Sequence, residues 1–346
     1  MNSYNIEQYE FEEKPSEEFI DFMRMLYRDR KHINYYLQAI KRIKNKSNPS
    51  FNYIKIKNFI AYSGKEVAGH ISTMIDKRLE KNIGILGFYE CINNNEAASA
   101  LIETAINYLK ENSCDIIRAP INLTIWHSYR FVVEQKDTFV LEPITKDYYI
   151  KQFTNLGFEE VAEYGTGQRT DYQTILPYTK PAYDSLIKEG FKILQVDKNN
   201  LDECLLLIYE IAKRTFTDSW SYVEISKNEY MYIYQDTKEI FDNLLMEIIY
   251  NSKGEAVGFC SSIYDSIDKE SIILKSIAVL PEYQNKKVGA ALIYSQHKKA
   301  FEKGISKMIY ALVTMGNTVT KLPYPGVEVI RKYVALERKL ANNFIH

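Results

Sequence analysis

Apolar positions recur along this chain with two periods, and the same order of periods occurs twice. Phe59-Ile-Ala-Tyr62 and Leu245-Met-Glu-Ile-Ile-Tyr250 each lead into a Gly-containing turn and a second apolar run, which predicts a β-hairpin in each half. Ile85-Leu-Gly-Phe-Tyr89 and Leu274-Lys-Ser-Ile-Ala278 read as central strands. Helical spacing then takes over around Ala100-Leu-Ile102 and Ala291-Leu-Ile293. The second of these helices should start near Val288 or Gly289 and run to about Phe301, before Gly304. It should bury Ala290, Ile293, His297, Ala300 and Phe301. Further strands are predicted at 115–118 and 307–313, a helix and turn at 148–158, a helix at 202–215 and a final strand at 331–338.

The halves also match residue by residue. Ser63-Gly-Lys-Glu-Val-Ala-Gly-His-Ile-Ser72 aligns without a gap on Ser252-Lys-Gly-Glu-Ala-Val-Gly-Phe-Cys-Ser261, sharing Ser, Glu, Gly and Ser. The same offset carries Ile85–Tyr89 onto Leu274–Ala278, and an Asn follows the last strand of each set, Asn122 and Asn317. A duplicated α/β domain is the expectation. Pro177 and Pro181 interrupt periodicity between 172 and 181, which gives domains at 1–176 and 177–346. Gly165-Thr-Gly167 reads as a turn, since no nucleotide P-loop surrounds it.

Composition removes several classes of function. At 46% apolar and 26% charged residues the chain is that of a folded protein rather than a disordered one. With 44 Lys and Arg against 45 Asp and Glu it lacks the basic field of a nucleic-acid binder. Cys91, Cys114, Cys204 and Cys260 form no CxxC pair and no Cys/His cluster, so neither a metal site nor a disulfide framework is expected. No signal peptide and no apolar run of about 20 residues is present, and a soluble cytoplasmic protein is the expectation.

The stretch richest in chemistry is Ile272–Ile293. An apolar strand ends at Leu280, Pro281 stops the ladder, and a short polar loop leads into a helix. The first-turn N–H groups of a helix lack intrahelical partners and sit at the positive end of its dipole, so this layout suits an anion. Gly289 and Ala290 leave bare backbone for a pyrophosphate, and Lys286 and Lys287 add positive charge. Glu282 should point to solvent.

Val279-Leu-Pro-Glu-Tyr-Gln-Asn-Lys-Lys-Val-Gly-Ala-Ala-Leu292 resembles the acyl-CoA signature of the GNAT N-acyltransferase superfamily. Tyr283, Gln284 and Gly289 match it, while Lys287 stands at the first Gly position, where φ > 0 would cost on the order of 1 kcal/mol. The resemblance covers about 190–346 well and 1–175 only in layout. It implies a mixed α/β protein of two tandem GNAT-like domains, each a twisted mixed sheet flanked by helices. It implies acetyl-CoA or another acyl-CoA as co-substrate, held by Ile277, Ala278, Val279, Gln284, Asn285, Lys286, Lys287, Val288, Gly289 and Ala290. It implies that Asn317 fixes the acyl-CoA arm, that a backbone N–H near Ala278 or Val279 stabilises the oxyanion, and that Tyr324 protonates the departing thiolate. Pro323 and Pro325 flank Tyr324 where the family has a helix, and Tyr333 is a second candidate acid. No base stands out: Asp265, Asp268 and Glu270 read as solvated, and His297 as a helix-face residue.

The matching loop of the first half, Cys91-Ile-Asn-Asn-Asn-Glu-Ala-Ala98, has no Gly and no basic residue, and Glu96 would oppose a pyrophosphate. The first domain is therefore expected to be degenerate, structural or acceptor-shaping. Trp126-His-Ser-Tyr-Arg130 mixes aromatic and polar groups as a ligand wall does, with Trp126 and Tyr129 the substrate-binding candidates. The expected reaction is transfer of an acyl group, foremost acetyl, to a primary amine of a small molecule or peptide, with no metal, nucleic acid or membrane involved. Two rival readings are a non-catalytic acyl-CoA-binding module and a transferase using aminoacyl-tRNA.

Overall fold

The computed structural model describes residues 4–10, 16–30, 33–134, 139–315 and 326–340. In chain order the elements are β1 (Asn5–Tyr9), α1 (Glu17–Leu26), α2 (Ile33–Ile43), β2 (Ile54–Ser63), β3 (Glu66–Asp76), β4 (Ile83–Cys91), α3 (Asn95–Glu111), β5 (Ile116–Ala119), β6 (Ile121–Asn122), β7 (Ser128–Tyr129), β8 (Phe131–Val132), α4 (Tyr148–Thr154) and β9 (Glu159–Arg169). They continue as α5 (Leu176–Lys188), β10 (Lys192–Gln195), α6 (Leu201–Thr215), α7 (Lys227–Ile233), β11 (Leu244–Tyr250), β12 (Ala256–Tyr264), β13 (Ser271–Val279), α8 (Val288–Glu302), β14 (Lys307–Thr314) and β15 (Glu328–Lys339).

Two compact units form, and they are interleaved along the chain. The first comprises residues 1–135, 143–163 and 333–346, the second 136–142 and 164–332. The sequence reading places a single boundary at 176/177. In the first unit β1 to β4 are antiparallel neighbours, β4 and β5 run parallel, and β15 pairs antiparallel with β5 and with β8. In the second unit β10 to β13 are antiparallel, β13 and β14 run parallel, and β9 pairs antiparallel with β14. Each sheet is thus finished by a strand lying outside the repeated block: β15 for the first, residues 164–169 of β9 for the second.

The hairpin, strand, helix, strand order occurs in both units. Both hairpins even carry their register shift at the same place, between Ala61 and Tyr62 and between Ile249 and Tyr250. The shared glycines have a common cause. A Cβ on Gly69 would lie 3.1 Å from the Glu90 carbonyl, and one on Gly258 would lie 2.9 Å from the Ala278 carbonyl. Glu90 is therefore the counterpart of Ala278, which corrects the ungapped alignment by one residue. Met74 pairs with Ile85 and Ile263 with Ile273, so the connection between these strands is one residue longer in the first half.

The core of the first unit lies between its sheet and α3, whose Ala97, Leu101, Ala105 and Leu109 pack with Phe59, Ile71 and Tyr89. A second-unit cluster joins Ile263, Ile273, Ile309 and Ala311 across β12 to β14. The face of α8 differs from the predicted one: Val288, Ala291, Leu292, Ser295, Gln296, His297 and Ala300 are buried, and Phe301 is exposed. The reason is polar. Glu247 of β11 is fully buried and accepts from Ser295 Oγ at 2.7 Å, Gln296 Nε2 at 2.7 Å and Lys299 Nζ at 2.8 Å. A buried carboxylate needs such donors, and they turn the helix toward it.

Two local readings also change. Gly165 and Gly167 lie inside β9, where a Cβ would meet Met315 Sδ at 2.8 Å and Val327 Cγ1 at 2.4 Å, so close approach rather than turning explains them. Pro177 and Pro181 both lie within α5, Pro177 in its first turn, where a missing N–H costs no helical bond. All four cysteines are buried free thiols, and burial raises each above its ordinary pKa. Among the described residues no helix is long and apolar enough to cross a membrane, and no three His, Cys, Asp or Glu side chains gather as a metal site requires.

Because an added methyl at Gly69 or Gly258 meets a partner-strand carbonyl, Gly69→Ala and Gly258→Ala should each destabilise by about 1–3 kcal/mol. Thermal unfolding should show the loss for both variants, while Gly254→Ala, with open space around it, should cost only the strain of its positive φ.

Candidate functional site

The parallel pair in the second unit separates early. Ladder pairing runs from Ser271–Lys307 to Leu274–Tyr310 and goes no further among the described residues, although β13 extends to Val279. Beyond that point, among the described residues, β12 is the one strand paired with β13. Leu280 N–H donates to Val257 O at 2.9 Å, so strand alternation turns the backbone polar groups of Ile277 and Val279 away from β12, toward the side of β14. The Val279 carbonyl accepts from Gln284 Nε2 at 3.2 Å. The expected Ile277, Ala278, Val279 and Gln284 therefore meet at one strand end.

The loop that follows is shaped by two residues in the left-handed region, Asn285 at φ 59° and Lys287 at φ 65°. Asn tolerates this region well; Lys287 adopts it at the first-Gly position of the signature. Lys287 caps α8 with no side-chain hydrogen bond, and the first helical bond is Ala291 N to Lys287 O at 3.0 Å. The N–H groups of Val288, Gly289 and Ala290 therefore have no intrahelical acceptor. A Cβ on Gly289 would find only Val279 Cγ2, at 4.0 Å. No acidic residue stands in this first turn, and Lys286 and Lys287 are exposed beside it. The Glu247 network grips the body of α8 and so fixes where its N-terminus sits.

The neighbours play supporting parts. Tyr283 is a packing residue: its ring meets Phe191, its hydroxyl accepts from Asn251 Nδ2 at 2.8 Å, and Lys286 lies over its face. Glu282 is exposed and paired with Arg214 at 3.0 Å. Asp265 is buried, not solvated, and accepts from Ile267 N at 2.9 Å as part of the β12–β13 turn. Asp268 accepts from Lys307 Nζ and Ser271 Oγ, both at 2.7 Å. His297 is fully buried between the Ile293 carbonyl at 2.7 Å and the Tyr310 hydroxyl at 2.8 Å, and burial lowers its pKa to about 4. Asn317 and Tyr324 lie outside the described residues. Tyr333 is a fully buried strand residue of the first unit, paired with Val132.

The corresponding place in the first unit is built shut. β4 and β5 pair only from Ile83–Ile116 to Ile85–Arg118. Beyond them, Asn122 Oδ1 accepts from Phe88 N at 2.6 Å, and the Ile121 carbonyl sits where a Cβ on Gly87 would be, at 1.9 Å. From α4, Tyr149 Oη accepts from Cys91 N at 3.1 Å, Tyr148 donates to Cys91 O at 2.9 Å, and Gln152 donates to Ile92 O at 3.0 Å. At the start of α3 the Asn94 side chain accepts from Ala97 N at 2.9 Å, and Glu96 occupies the first turn. Among the described residues only Gln284 meets the strand end of the second unit and no side chain caps its helix, whereas here the unit's own side chains meet both ends.

Sequence reasoning missed Glu90, the one acid in the otherwise apolar run of β4. It is 3% exposed, and its Oε2 accepts from Tyr27 at 2.8 Å and Tyr149 at 2.7 Å. Burial pushes its carboxyl up to about 8, against the pull of those two hydroxyls and Lys146. Tyr129 lines a cavity together with Glu90, whereas Trp126 is not part of that wall and its backbone N–H donates to Thr124 Oγ1 at 3.2 Å.

A carboxyl with a raised folded-state value favours the folded protein fully at low pH and loses that contribution as pH rises. For Glu90 the window runs from its ordinary 4.5 to about 8. Glu90→Gln should therefore flatten the decline of stability across this window, measured by denaturant unfolding at a series of pH values.

Residues 205–321 match the Acetyltransferase (GNAT) family model, a span holding α8, its loop and the strands that part. No curated protein matches the chain. Among solved structures, a tandem GNAT protein from the clavulanic acid biosynthesis pathway superposes with TM-score 0.58 at 10% identity, over 97% of this chain and 98% of that one. A conserved protein of unknown function from Enterococcus faecalis, described as a probable N-acyltransferase, gives TM-score 0.59 at 10% identity over 98% and 73%. A GCN5-related N-acetyltransferase from Anabaena variabilis gives 0.55 at 11% over 97% and 73%. The chain has the fold of tandem GNAT proteins, with an acetyltransferase-family match in its second half.

Proposed function

We propose that this protein is an acyl-CoA-dependent N-acyltransferase, acting through its second unit on a primary amine, with acetyl the foremost acyl group. The observation that carries the reading is the strand end beside an uncapped helix: β13 leaves β14 after Leu274, and α8 opens its first turn within reach of Val279. The residues fit the co-substrate. The N–H groups of Val288, Gly289 and Ala290 would hold the pyrophosphate, with Lys286 and Lys287 adding charge. Backbone groups of Ile277 and Val279 would hold the amide arm, and Asn317 would steady it. Gln284 and Asn285 shape the loop, Gln284 by holding the Val279 carbonyl.

In the reaction, the amine attacks the thioester carbonyl. A backbone N–H at the end of β13 stabilises the oxyanion; of the two expected there, Val279 rather than Ala278 faces away from β12. The C–S bond then breaks, Tyr324 gives its hydroxyl proton to the sulfur, and the proton shed by the acylated nitrogen restores the phenol through solvent. The first unit takes no acyl-CoA in this scheme, since its equivalent strand and helix ends are closed.

Titration calorimetry of acetyl-CoA should find one site per chain, weakened at least tenfold by Gly289→Asp, which sets a carboxylate against the pyrophosphate. Tyr324→Phe should bind acetyl-CoA as the parent does and release thiol from it on the order of 10²-fold more slowly with a panel of primary amines. Binding without thiol release by the parent over that panel would return the protein to an acyl-CoA-binding module.

A further inference from the structure

A lysine beside the parted strands of the second unit is not used by the proposed reaction. Ser261 of β12 pairs with Ser276 and Ser262 pairs with Leu274, so Lys275 is an extra residue in β13, a β-bulge. It follows directly on Leu274, the last residue of β13 paired with β14. Its neighbours show which way it faces. Ser262, opposite Leu274, donates to Gln296 Oε1 of α8 at 2.7 Å. Cys260, opposite Ile277, also lies opposite Glu247, which is bonded to α8. Val279 is the side chain nearest a Cβ on Gly289. Leu274, Ile277 and Val279 therefore face α8. Between Leu274 and Ile277 stand two residues where alternation allows one, and the bulge turns both Lys275 and Ser276 to the opposite face.

On that face the Lys275 ammonium lies 5.1 Å from the ring centroid of Tyr234, the residue that ends α7. The Tyr234 ring is itself held, 4.6 Å from that of buried Tyr230, which lies 5.2 Å from Tyr209 of α6. Lys275 is exposed, and among the described residues no ion pair reaches it. Lys299 and Lys307, on the flanking α8 and β14, are both paired, with Glu247 and Asp268. The stretch 316–325 that follows β14 in the chain contains no Asp or Glu.

We propose that Lys275 determines acceptor specificity by binding the carboxylate of an ω-amino acid whose primary amine is acylated. This rests on the acyl-transfer reading above. In that reading acyl-CoA reaches the strand end from the α8 side, so the amine meets the thioester from the other face, the one that carries Lys275. The Tyr234 ring takes one side of the ammonium and leaves its remaining donors for a ligand. A single ammonium is a point charge and matches one carboxylate. The spacing sets the length of the acceptor. Ile277 and Val279, which hold the amide arm, lie two and four residues beyond Lys275, about 7 and 13 Å along the strand. The amine and the acid must then be several bonds apart, farther than in an α-amino acid. The same charge disfavours a diamine as acceptor.

The test is thiol release from acetyl-CoA by the full chain with three acceptors of equal length: 5-aminopentanoate, its neutral isostere 5-aminopentanamide, and 1,5-diaminopentane. The parent should favour the carboxylate over the carboxamide about tenfold in kcat/KM, the size of one charge-assisted hydrogen bond, with the difference in KM. In Lys275→Gln that ratio should fall to about one. Lys275→Glu should prefer 1,5-diaminopentane to 5-aminopentanoate. Lys275 is exposed, and circular dichroism reports whether each variant is folded. A parent indifferent to the carboxylate, a ratio that survives in folded Lys275→Gln, or a folded Lys275→Glu that does not reverse the preference would overturn the role of Lys275 and leave acyl transfer standing. So would thiol release with other primary amines but with none of these three. Release with no amine at all would overturn the acyl-transfer reading, and this proposal with it.

Discussion

Parallel strands that part company expose main-chain polar groups, and each exposed group must find a partner. That requirement organises both units. In the second, β13 separates from β14 after Leu274 and its end is left beside the bare first turn of α8. In the first, the same divergence of β4 from β5 is answered internally by Asn122, Tyr148, Tyr149 and Gln152, with Asn94 closing the helix start. Among the described residues, one topology thus leaves an uncapped helix start beside a parted strand in one copy and a joint filled by side chains in the other.

Much of this was legible in the residues, for physical reasons. Hairpins and helices show as periods because one face of each is buried, and the duplicated order survives because Gly69 and Gly258 answer to the same carbonyl contact. The strand, loop and helix order into α8 was readable, but whether Lys287 would take the conformation of the Gly it replaces was not, and it does, at φ 65°. What escaped was set by distant partners. Ser295 and Gln296 look like surface residues until Glu247 is placed beneath them. Glu90 looks like a solvent acid until α1 and α4 bring Tyr27 and Tyr149 to it. Gly165 and Gly167 look like a turn until Met315 and Val327 are seen to crowd them.

Buried ionisable groups tie elements together in both units. In the second, Glu247 is saturated by three donors and serves as an anchor, holding α8 by its body so that its first turn stays in place. His297 is likewise committed, with both ring nitrogens occupied by Ile293 and Tyr310. In the first, Glu90 is held by the Tyr27 and Tyr149 hydroxyls, with Lys146 acting on it as well. Burial alone therefore does not mark function: each of these groups is met by partners that the fold itself supplies.

The exchange of finishing strands has a consequence for how the chain is made. During synthesis the first unit emerges with the edge of β5 unpaired, because β15 follows the whole second repeat in the chain. An open edge held for that long invites pairing with other chains. Nascent protein must therefore keep β5 protected until the second repeat has been read through to β15. A gene split between the two repeats would yield two halves, each missing a strand that only the other encodes.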